Sequence, residues 1–173
     1  MSKNVRVLIA GGGTGGHLFP AVAIGDTLKK NGADVLYIGS KYGIESRLLP
    51  SRGESPVLLN IRGFHRTFSI KNILDNLIFP IRVLLAYIKS RIIIKDFNPQ
   101  VVVGTGGYSS GLPLLAAVHS GIKTLIQEQN SYPGYTTRKL ASKANKVCIG
   151  FKESASFIKK KRYLQEILFG RIL

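Results

Sequence analysis

The sequence predicts an α/β fold, a Rossmann-like parallel sheet with helices on both faces. Short apolar runs of strand length alternate with longer stretches in which apolar residues recur every three or four positions. The runs are apolar nearly throughout, which is typical of strands that are buried on both sides. Most of them end in glycine-rich or polar residues. Repeated strand–helix units of this kind build a parallel sheet that is covered by helices.

The first unit consists of a strand, a glycine turn and a helix. Residues 5–10 are mainly β-branched and apolar, five glycines surround Thr14 within residues 11–16, and apolar residues at helical spacing run from Ala21 to Leu28. Glycines reach backbone conformations that are closed to other residues, and they let a polar ligand approach the main chain. The free amides at the start of the helix favour an anion. This unit is therefore typical of a mononucleotide-binding fold.

Two common classes of nucleotide-binding protein have such a glycine turn, and this sequence matches both poorly. A Walker loop requires lysine and serine or threonine after its last glycine, but Gly16 is followed by His17 and Leu18. A dinucleotide-binding fold requires an acidic residue at the end of the second strand, but residues 34–38 continue into Gly39 and Ser40. Both assignments lose support, the Walker loop almost completely.

The remaining elements follow in regular alternation. The pattern predicts a strand at 34–38, a short helix at 42–50, a strand at 56–61, a long and mostly helical region at 70–95 with a break or kink at Pro80, a strand at 100–103, a helix through Leu114, Ala117 and His119, a strand at 123–127, a helix at 136–142 and a strand at 146–149. Ligands of such sheets bind at the carboxyl ends of the strands. We therefore expect the two glycine-rich loops and residues 128–130, which all follow strands, to share one edge.

Composition limits the partners and the compartment. Lys and Arg number 25 against 9 acidic residues, which gives a net charge of +16 and favours anionic partners such as a bilayer surface, phosphates or nucleic acid. We expect no nucleic-acid partner, because no recognition-helix module or aromatic RNA-binding signature is present. The single cysteine, Cys148, excludes an intramolecular disulfide and fits a reducing cytosol. Met1 to Asn4 lead directly into the first strand, so we expect no signal peptide, and no apolar run reaches the ~18 residues of a spanning helix.

Three motifs are similar to the N-terminal domain of the MurG family. They are GGTGGHLFP at residues 12–20, GTGGYSSG at 104–111 and EQN at 128–130, and the resemblance covers about residues 4–158. It implies the N-terminal half of a GT-B glycosyltransferase, with the active site between two domains. The implied reaction of peptidoglycan synthesis moves N-acetylglucosamine from UDP-GlcNAc to the undecaprenyl-pyrophosphoryl-muramoyl-pentapeptide lipid. The resemblance also implies a peripheral position on the cytoplasmic face of the bacterial inner membrane, with no cofactor and no bound metal.

The resemblance also assigns site residues, and each has a plainer alternative. His17 would act as a base or a polar contact at the acceptor hydroxyl, or would only cap nearby backbone. The implied donor contacts are Thr14, Gly15, Gly16 and Asn130, although Asn130 could instead cap a helix. The glycine loops, with Gly106, Gly107 and Tyr108, would face the acceptor pyrophosphate, although Tyr108 could merely brace its loop. Glu128 would orient a substrate or be a structural carboxylate, and we assign His65 and His119 to the surface or to packing.

Residues 62–95 combine apolar side chains with cations. The ordinary interpretation is a buried helix with solvated charges, and part of the stretch must be that. The apolar residues are too many to lie on a single buried face of a helix, so some should be exposed beside the cations. Exposed apolar side chains next to cations suit insertion into an anionic leaflet. The membrane contacts that we predict are Phe79, Ile81, Arg82, Leu85 and Lys89.

The end of the chain departs from the family. Residues 1–158 are predicted to form the acceptor-side and membrane-side domain, whereas 159–173 form an atypical tail without the expected T-G-N-P motif. One back-translation of residues 162–168, read two bases further on, gives I-F-T-G-N-P, so we hypothesise a frameshift. We then expect the donor domain, with most UDP-GlcNAc contacts, to be absent and this fragment to be inactive alone. The alternative is a non-catalytic membrane-docking half that needs a partner subunit carrying the donor site.

Overall fold

Seven parallel strands form one sheet in the computed structural model, which describes residues 4–63, 70–158 and 163–164. The expectation for His65 lies outside these residues. In chain order the elements are β1 (Arg6–Ala10), α1 (Gly15–Lys30), β2 (Asp34–Ser40), α2 (Glu45–Ser51), β3 (Val57–Leu59), α3 (Ile70–Phe97), β4 (Val101–Gly104), α4 (Tyr108–His119), β5 (Lys123–Glu128), α5 (Tyr135–Leu140), β6 (Lys146–Ile149), a 3-10 helix (Lys152–Phe157) and β7 (Tyr163–Leu164).

The strand order places the crevice of the sheet at β1. The order is β3-β2-β1-β4-β5-β6-β7, so the chain first builds outward from β1 through β2 and β3 and then returns to the other side of β1 with β4. Main-chain bonds of β1 join it to both β2 and β4 in parallel register. The loops after β1 and β4 therefore diverge around a topological switch point, where open α/β sheets bind their ligands.

Two hydrophobic cores cover the two faces of the sheet. Val7 and Ile9 point to one face and pack with buried residues of α1 and α2. Leu8 and Ala10, which alternate with them along β1, point to the other face and pack with α3 and α4. Full burial of each such large side chain contributes about 1.5 to 3 kcal/mol. The predicted parallel sheet with helices on both faces is confirmed.

Two helices, α1 and α4, begin earlier than the hydrophobic pattern indicates. Helix α1 begins at Gly15, after an extended Thr14 whose carbonyl accepts the amides of His17 and Leu18 at 3.2 and 3.1 Å. Helix α4 begins at Tyr108, inside the second glycine-rich motif. The first turns of α1 and α4 consist mainly of glycine and polar residues and carry no hydrophobic periodicity, so the sequence pattern did not show them. His17 and Tyr108 consequently lie in the first turns of helices.

Helix α3 runs through Pro80 without a break, contrary to one of the two alternatives that we expected. The helix continues through the exposed Pro80 although the ring removes one main-chain donor. Within the part of the chain that the structure describes, no helix is long and apolar enough to span a bilayer.

Strand β7 lies in the tail that we expected to be atypical. Tyr163 and Leu164 pair in parallel with Cys148 and Ile149 of β6. The two residues are too few for a periodic pattern, so only the pairing reveals this strand.

Candidate active site at the carboxyl edge of the sheet

Two glycine loops meet at the switch point. We call residues 11–14, after β1, the first glycine loop and residues 105–107, after β4, the second glycine loop. A Cβ on Gly11 would lie 1.9 Å from the Thr105 hydroxyl oxygen, and a Cβ on Gly107 would lie 2.3 Å from the carbonyl oxygen of Gly12. Gly107 also has a φ of +76°, a conformation that favours glycine. The glycines therefore permit a backbone-to-backbone contact between the two loops.

His17 occupies the junction of the two loops. Its Nδ1 lies 3.1 Å from the carbonyl oxygen of Thr105, and the Thr105 hydroxyl donates to the carbonyl of His17 at 2.8 Å. A Cβ on Gly106 would lie 2.6 Å from Nδ1, so the ring rests against the second glycine loop. The other ring nitrogen, Nε2, has no hydrogen-bond partner among the described residues. The half-buried ring is thus fixed on one side and open on the other.

Gln129, in the loop after β5, completes the surroundings of the ring. Its amide nitrogen lies 2.7 Å from Nδ1 of His17. The sequence pattern placed Gln129 in a motif at the correct edge but gave it no role. The three predicted loops are therefore brought together around one imidazole, as their positions after strands indicated.

Glu128 stabilises the conformation of the loop after β5, which contains the 128–130 motif. It is 1% exposed, and its carboxylate accepts the Asn130 side-chain amide at 2.8 Å, the Asn130 main-chain amide at 3.1 Å and the Gly134 main-chain amide at 3.1 Å. Of the two roles that the sequence left open, this geometry favours the structural one. Asn130 itself is exposed, so its side-chain oxygen can reach a ligand.

Glu45 stabilises the first glycine loop in the same way, by accepting hydrogen bonds from main-chain amides. Its side chain is fully buried, and its carboxylate accepts the main-chain amides of Gly13 and Ser40, each at 2.7 Å. A Cβ on Gly12 or Gly43 would lie 2.5 Å or less from the Glu45 carboxylate. Sequence reasoning missed this residue, and the only signal was the unusual number of glycines that follow β1 and β2.

Tyr108 packs between two backbones. A Cβ on Gly13 would lie 2.9 Å from the Tyr108 ring, and one on Gly63 would lie 3.7 Å from it. The ring is partly buried against the core on the α3 and α4 face. Tyr108 therefore supports the first glycine loop as well as its own.

Two helix N-termini point toward the same edge. The exposed Thr14 and Gly16 lie at the start of α1, and Gly107 caps the start of α4. Each helix end presents free amides and a partial positive charge, which favour phosphate oxygens. The edge can therefore bind an anionic group beside the open face of His17.

Among the described residues, two groups have clearly shifted pKa values, and neither is a predicted site residue. Burial, reinforced by the nearby Glu54 and Asp26 carboxylates and partly offset by Arg52, raises the pKa of Tyr37 to about 12. Burial also raises the pKa of the Cys148 thiol, against a smaller lowering by Lys146. A thiol with a raised pKa is a poor nucleophile at neutral pH.

Helix α3 exposes an apolar stripe. Of the predicted membrane contacts, Ile81 and Leu85 are 59% and 60% exposed, whereas Phe79 and Arg82 are only partly exposed and Lys89 donates to the carbonyl of Leu58 at 3.2 Å. Among the α3 residues whose side chains the structure describes, 77–97, the exposed large apolar ones recur at helical spacing, and they are Leu77, Ile78, Ile81, Leu84, Leu85, Ile88 and Ile92. We call this set the α3 stripe.

His119 lies at the opposite end of α4 from the glycine loops. It is exposed, and its Nδ1 lies 2.8 Å from the hydroxyl of Tyr87, which agrees with a surface or packing role.

The solved structures that share this fold include glycosyltransferases. The crystal structure of Acinetobacter baumannii MurG aligns with a TM-score of 0.73 and 30% identity, covering 87% of this chain and 43% of that chain. SsfS6, a Streptomyces glycosyltransferase, aligns with a TM-score of 0.57 at 17% identity and shares the fold alone. The fold and the alignment with MurG identify the chain as the N-terminal half of a GT-B glycosyltransferase fold.

The sequence comparisons specify the family. The model of the glycosyltransferase family 28 N-terminal domain matches residues 7–149, and the chain belongs to this family. Relatives in Christiangramia forsetii and Prosthecochloris aestuarii are 43% and 46% identical over 88% and 91% of this chain. Both are named UDP-N-acetylglucosamine–N-acetylmuramyl-(pentapeptide) pyrophosphoryl-undecaprenol N-acetylglucosamine transferase. The chain spans only 41% and 44% of these relatives, and the predicted resemblance to the MurG family is confirmed.

Proposed function

We propose that this chain is the acceptor-side part of a glycosyltransferase of peptidoglycan synthesis. The whole enzyme would move N-acetylglucosamine from UDP-GlcNAc to the undecaprenyl-linked muramoyl-pentapeptide. The names of its relatives support the substrates. The observation that carries the proposal is the imidazole of His17, which is held by the loops at the switch point with Nε2 open beside two helix N-termini.

The chemistry that we propose is a direct displacement with inversion. The acceptor hydroxyl gives its proton to Nε2 of His17 while its oxygen forms the bond to the anomeric carbon. The bond from that carbon to the UDP oxygen breaks, and UDP leaves with the electron pair. The glycine loops, with Gly106, Gly107 and Tyr108, would hold the acceptor pyrophosphate through main-chain amides and the helix N-termini.

The donor would be shared between two domains. Within residues 1–158, which we propose as the acceptor-side and membrane-side domain, Thr14, Gly15, Gly16 and Asn130 would contact UDP-GlcNAc. The remaining contacts would come from the region that the relatives have beyond the matched part.

A chimera tests the function. Residues 1–158 would replace the matching part of the Prosthecochloris aestuarii relative, which is 46% identical over 160 residues. Transfer of labelled N-acetylglucosamine to a lipid-linked acceptor is the readout. We expect turnover in the chimera and a loss of ~10²-fold or more with His17→Ala if His17 transfers the proton.

The matched control is His119→Ala, because His119 lies at the far end of α4 and contacts Tyr87. It should leave turnover unchanged. A folded chimera that transfers no sugar would overturn the proposed activity, and unchanged turnover in His17→Ala would remove the role of His17 as the base.

We also propose an anionic membrane surface as a partner, with peripheral binding at the cytoplasmic face of the inner membrane. The exposed α3 stripe and the charge of +16 support this. The same stripe supports the second candidate, a non-catalytic docking half that needs a partner subunit. Restoration of transfer by a separate partner chain that carries the donor site would favour that candidate.

A further inference from the structure

We infer that Gln129 is a positioning residue which, together with the Thr105 carbonyl, keeps the proton of neutral His17 on Nδ1. The opposite nitrogen, Nε2, is then free to take the proton of the acceptor hydroxyl. The inference rests on the proposed function only for this use of Nε2. The assignment of the proton itself depends on contacts within the chain.

The carbonyl of Thr105 determines which nitrogen carries the proton. Its oxygen lies 3.1 Å from Nδ1 of His17 and can only accept a hydrogen bond. A neutral ring with its proton on Nε2 would direct the Nδ1 lone pair at this oxygen, which is repulsive. The ring rests against the backbone of Gly106, where a Cβ would lie 2.6 Å from Nδ1, so the main chain restricts its rotation away from the carbonyl. The ring therefore meets this oxygen as a donor.

The amide of Gln129 must then accept. Its nitrogen lies 2.7 Å from Nδ1, and its buried oxygen, Oε1, has no hydrogen-bond partner among the described residues. A half-turn about the last side-chain bond exchanges these two atoms, which are nearly equal in size. The half-turn brings Oε1 to Nδ1 as a second acceptor, and the NH2 group takes the position that Oε1 leaves. The fixed acceptor at Thr105 decides between the two orientations.

This arrangement suits a base. When Nε2 takes a proton, the ring becomes an imidazolium whose Nδ1–H is shared by two oxygens. Hydrogen bonds to an ionised donor are about twice as strong as neutral ones, so the pair of acceptors stabilises the charged ring more than the neutral ring. A carboxylate plays this part in the Ser-His-Asp triad. Here two neutral oxygens, one from a side chain and one from the main chain, would do so.

Nitrogen NMR of the 173-residue chain tests the inference without donor or acceptor. Ring-nitrogen shifts distinguish a protonated from an unprotonated nitrogen, and His17 is assigned by the signals lost in His17→Gln. At a pH where the ring is neutral, we expect the Nδ1–H form in the wild type and in Gln129→Glu, because a carboxylate only accepts. Gln129→Met should shift the tautomer ratio about fivefold toward Nε2–H, the value of one net hydrogen bond.

Two controls separate this effect from general disturbance. Gln127→Met makes the same exchange at a buried glutamine of β5 that has no hydrogen bond to the ring, and it should leave His17 unchanged. The ring of His119, which contacts Tyr87, should keep its shifts in every variant. Backbone amide spectra report whether each variant is folded.

Three results would overturn the inference. An Nε2–H ring in the wild type would do so, and so would loss of the Nδ1–H form in Gln129→Glu. An unchanged tautomer ratio in Gln129→Met would leave Thr105 as the sole determinant. If Gln129→Met does not fold, the wild type and Gln129→Glu decide, since loss of the Nδ1–H form in either rejects the inference. Failure of the proposed function appears separately, as the absence of sugar transfer by the folded chimera.

Discussion

The α3 stripe should insert into membranes, and replacing two of its leucines should weaken binding by a calculable amount. Leu84 and Leu85 are 58% and 60% exposed. Full transfer of a leucine side chain from water contributes about 2 kcal/mol, so each exposed fraction is worth about 1.2 kcal/mol if it becomes buried in lipid. The double variant Leu84→Ser, Leu85→Ser should therefore lose about 2.4 kcal/mol. This corresponds to roughly a 50-fold lower partition coefficient.

The assay is co-sedimentation with vesicles of anionic or neutral lipid at low and high salt. Val5→Ser is the matched control, because Val5 is 54% exposed and precedes β1 rather than lying on α3. The apolar contribution to the free energy of vesicle binding should remain at high salt. Unchanged partitioning of the double leucine variant would refute insertion of the α3 stripe.

The cations near the α3 stripe should contribute a separate, salt-dependent part of the free energy of membrane binding. Lys89, Arg91 and Lys95 are exposed on the C-terminal half of α3. Each cation near an anionic surface contributes about 1 kcal/mol, so serine at all three positions should cost at most about 3 kcal/mol at low salt. Salt screens this part. Equal binding to neutral vesicles would remove the charge argument, and displacement by substoichiometric duplex DNA or RNA would favour a nucleic-acid partner.

Three further predictions concern stability, each read as the free energy of unfolding in urea. Glu45→Gln should destabilise the chain by about 2 kcal/mol, because the amide cannot accept from both Gly13 and Ser40. The pKa of Tyr37 is about 12 in the folded chain, against an ordinary value of 10.0. Between these two pH values the folded state keeps the proton that the unfolded state has lost. The contribution of Tyr37 to the free energy of unfolding is therefore fully present below pH 10 and is lost as the pH rises toward 12. The wild type should lose about 1.3 kcal/mol more than Tyr37→Phe between pH 9 and pH 11. Gly25→Ala should cost about 1 to 3 kcal/mol, although alanine usually favours a helix, because its Cβ would lie 1.9 Å from the Tyr37 hydroxyl.

Each of these has a control and a contradicting outcome. Glu153→Gln changes an exposed glutamate and should be neutral, and an equally neutral Glu45→Gln would show that the first glycine loop does not need its carboxylate. Parallel pH curves for the wild type and Tyr37→Phe would contradict the linkage. Gly134→Ala adds a Cβ that meets no atom within 4 Å, and a gain in stability from Gly25→Ala would show that Tyr37 moves aside at little cost.

Local sequence was sufficient for the sheet. The strands β1, β2, β4 and β6 each contain three or more consecutive apolar residues, and their alternation with helical periodicity indicates a parallel arrangement. Parallel strands bring their carboxyl ends to one edge, so the sequence also predicted that the two glycine loops and residues 128–130 lie together. The three motifs were specific enough to indicate the family, because they combine residue type with position after a strand.

Only the tertiary structure decided how His17 is held. The contacts of its ring come from Thr105 and Gln129, which are 88 and 112 positions away in the chain. No periodic pattern encodes a hydrogen bond between residues so far apart, since it depends on the strand order that places β4 next to β1. The same holds for Glu45, which reaches the amide of Gly13 across 32 positions. Sequence determined which elements form and at which edge their loops lie, and the packing of those elements determined which side chains meet there.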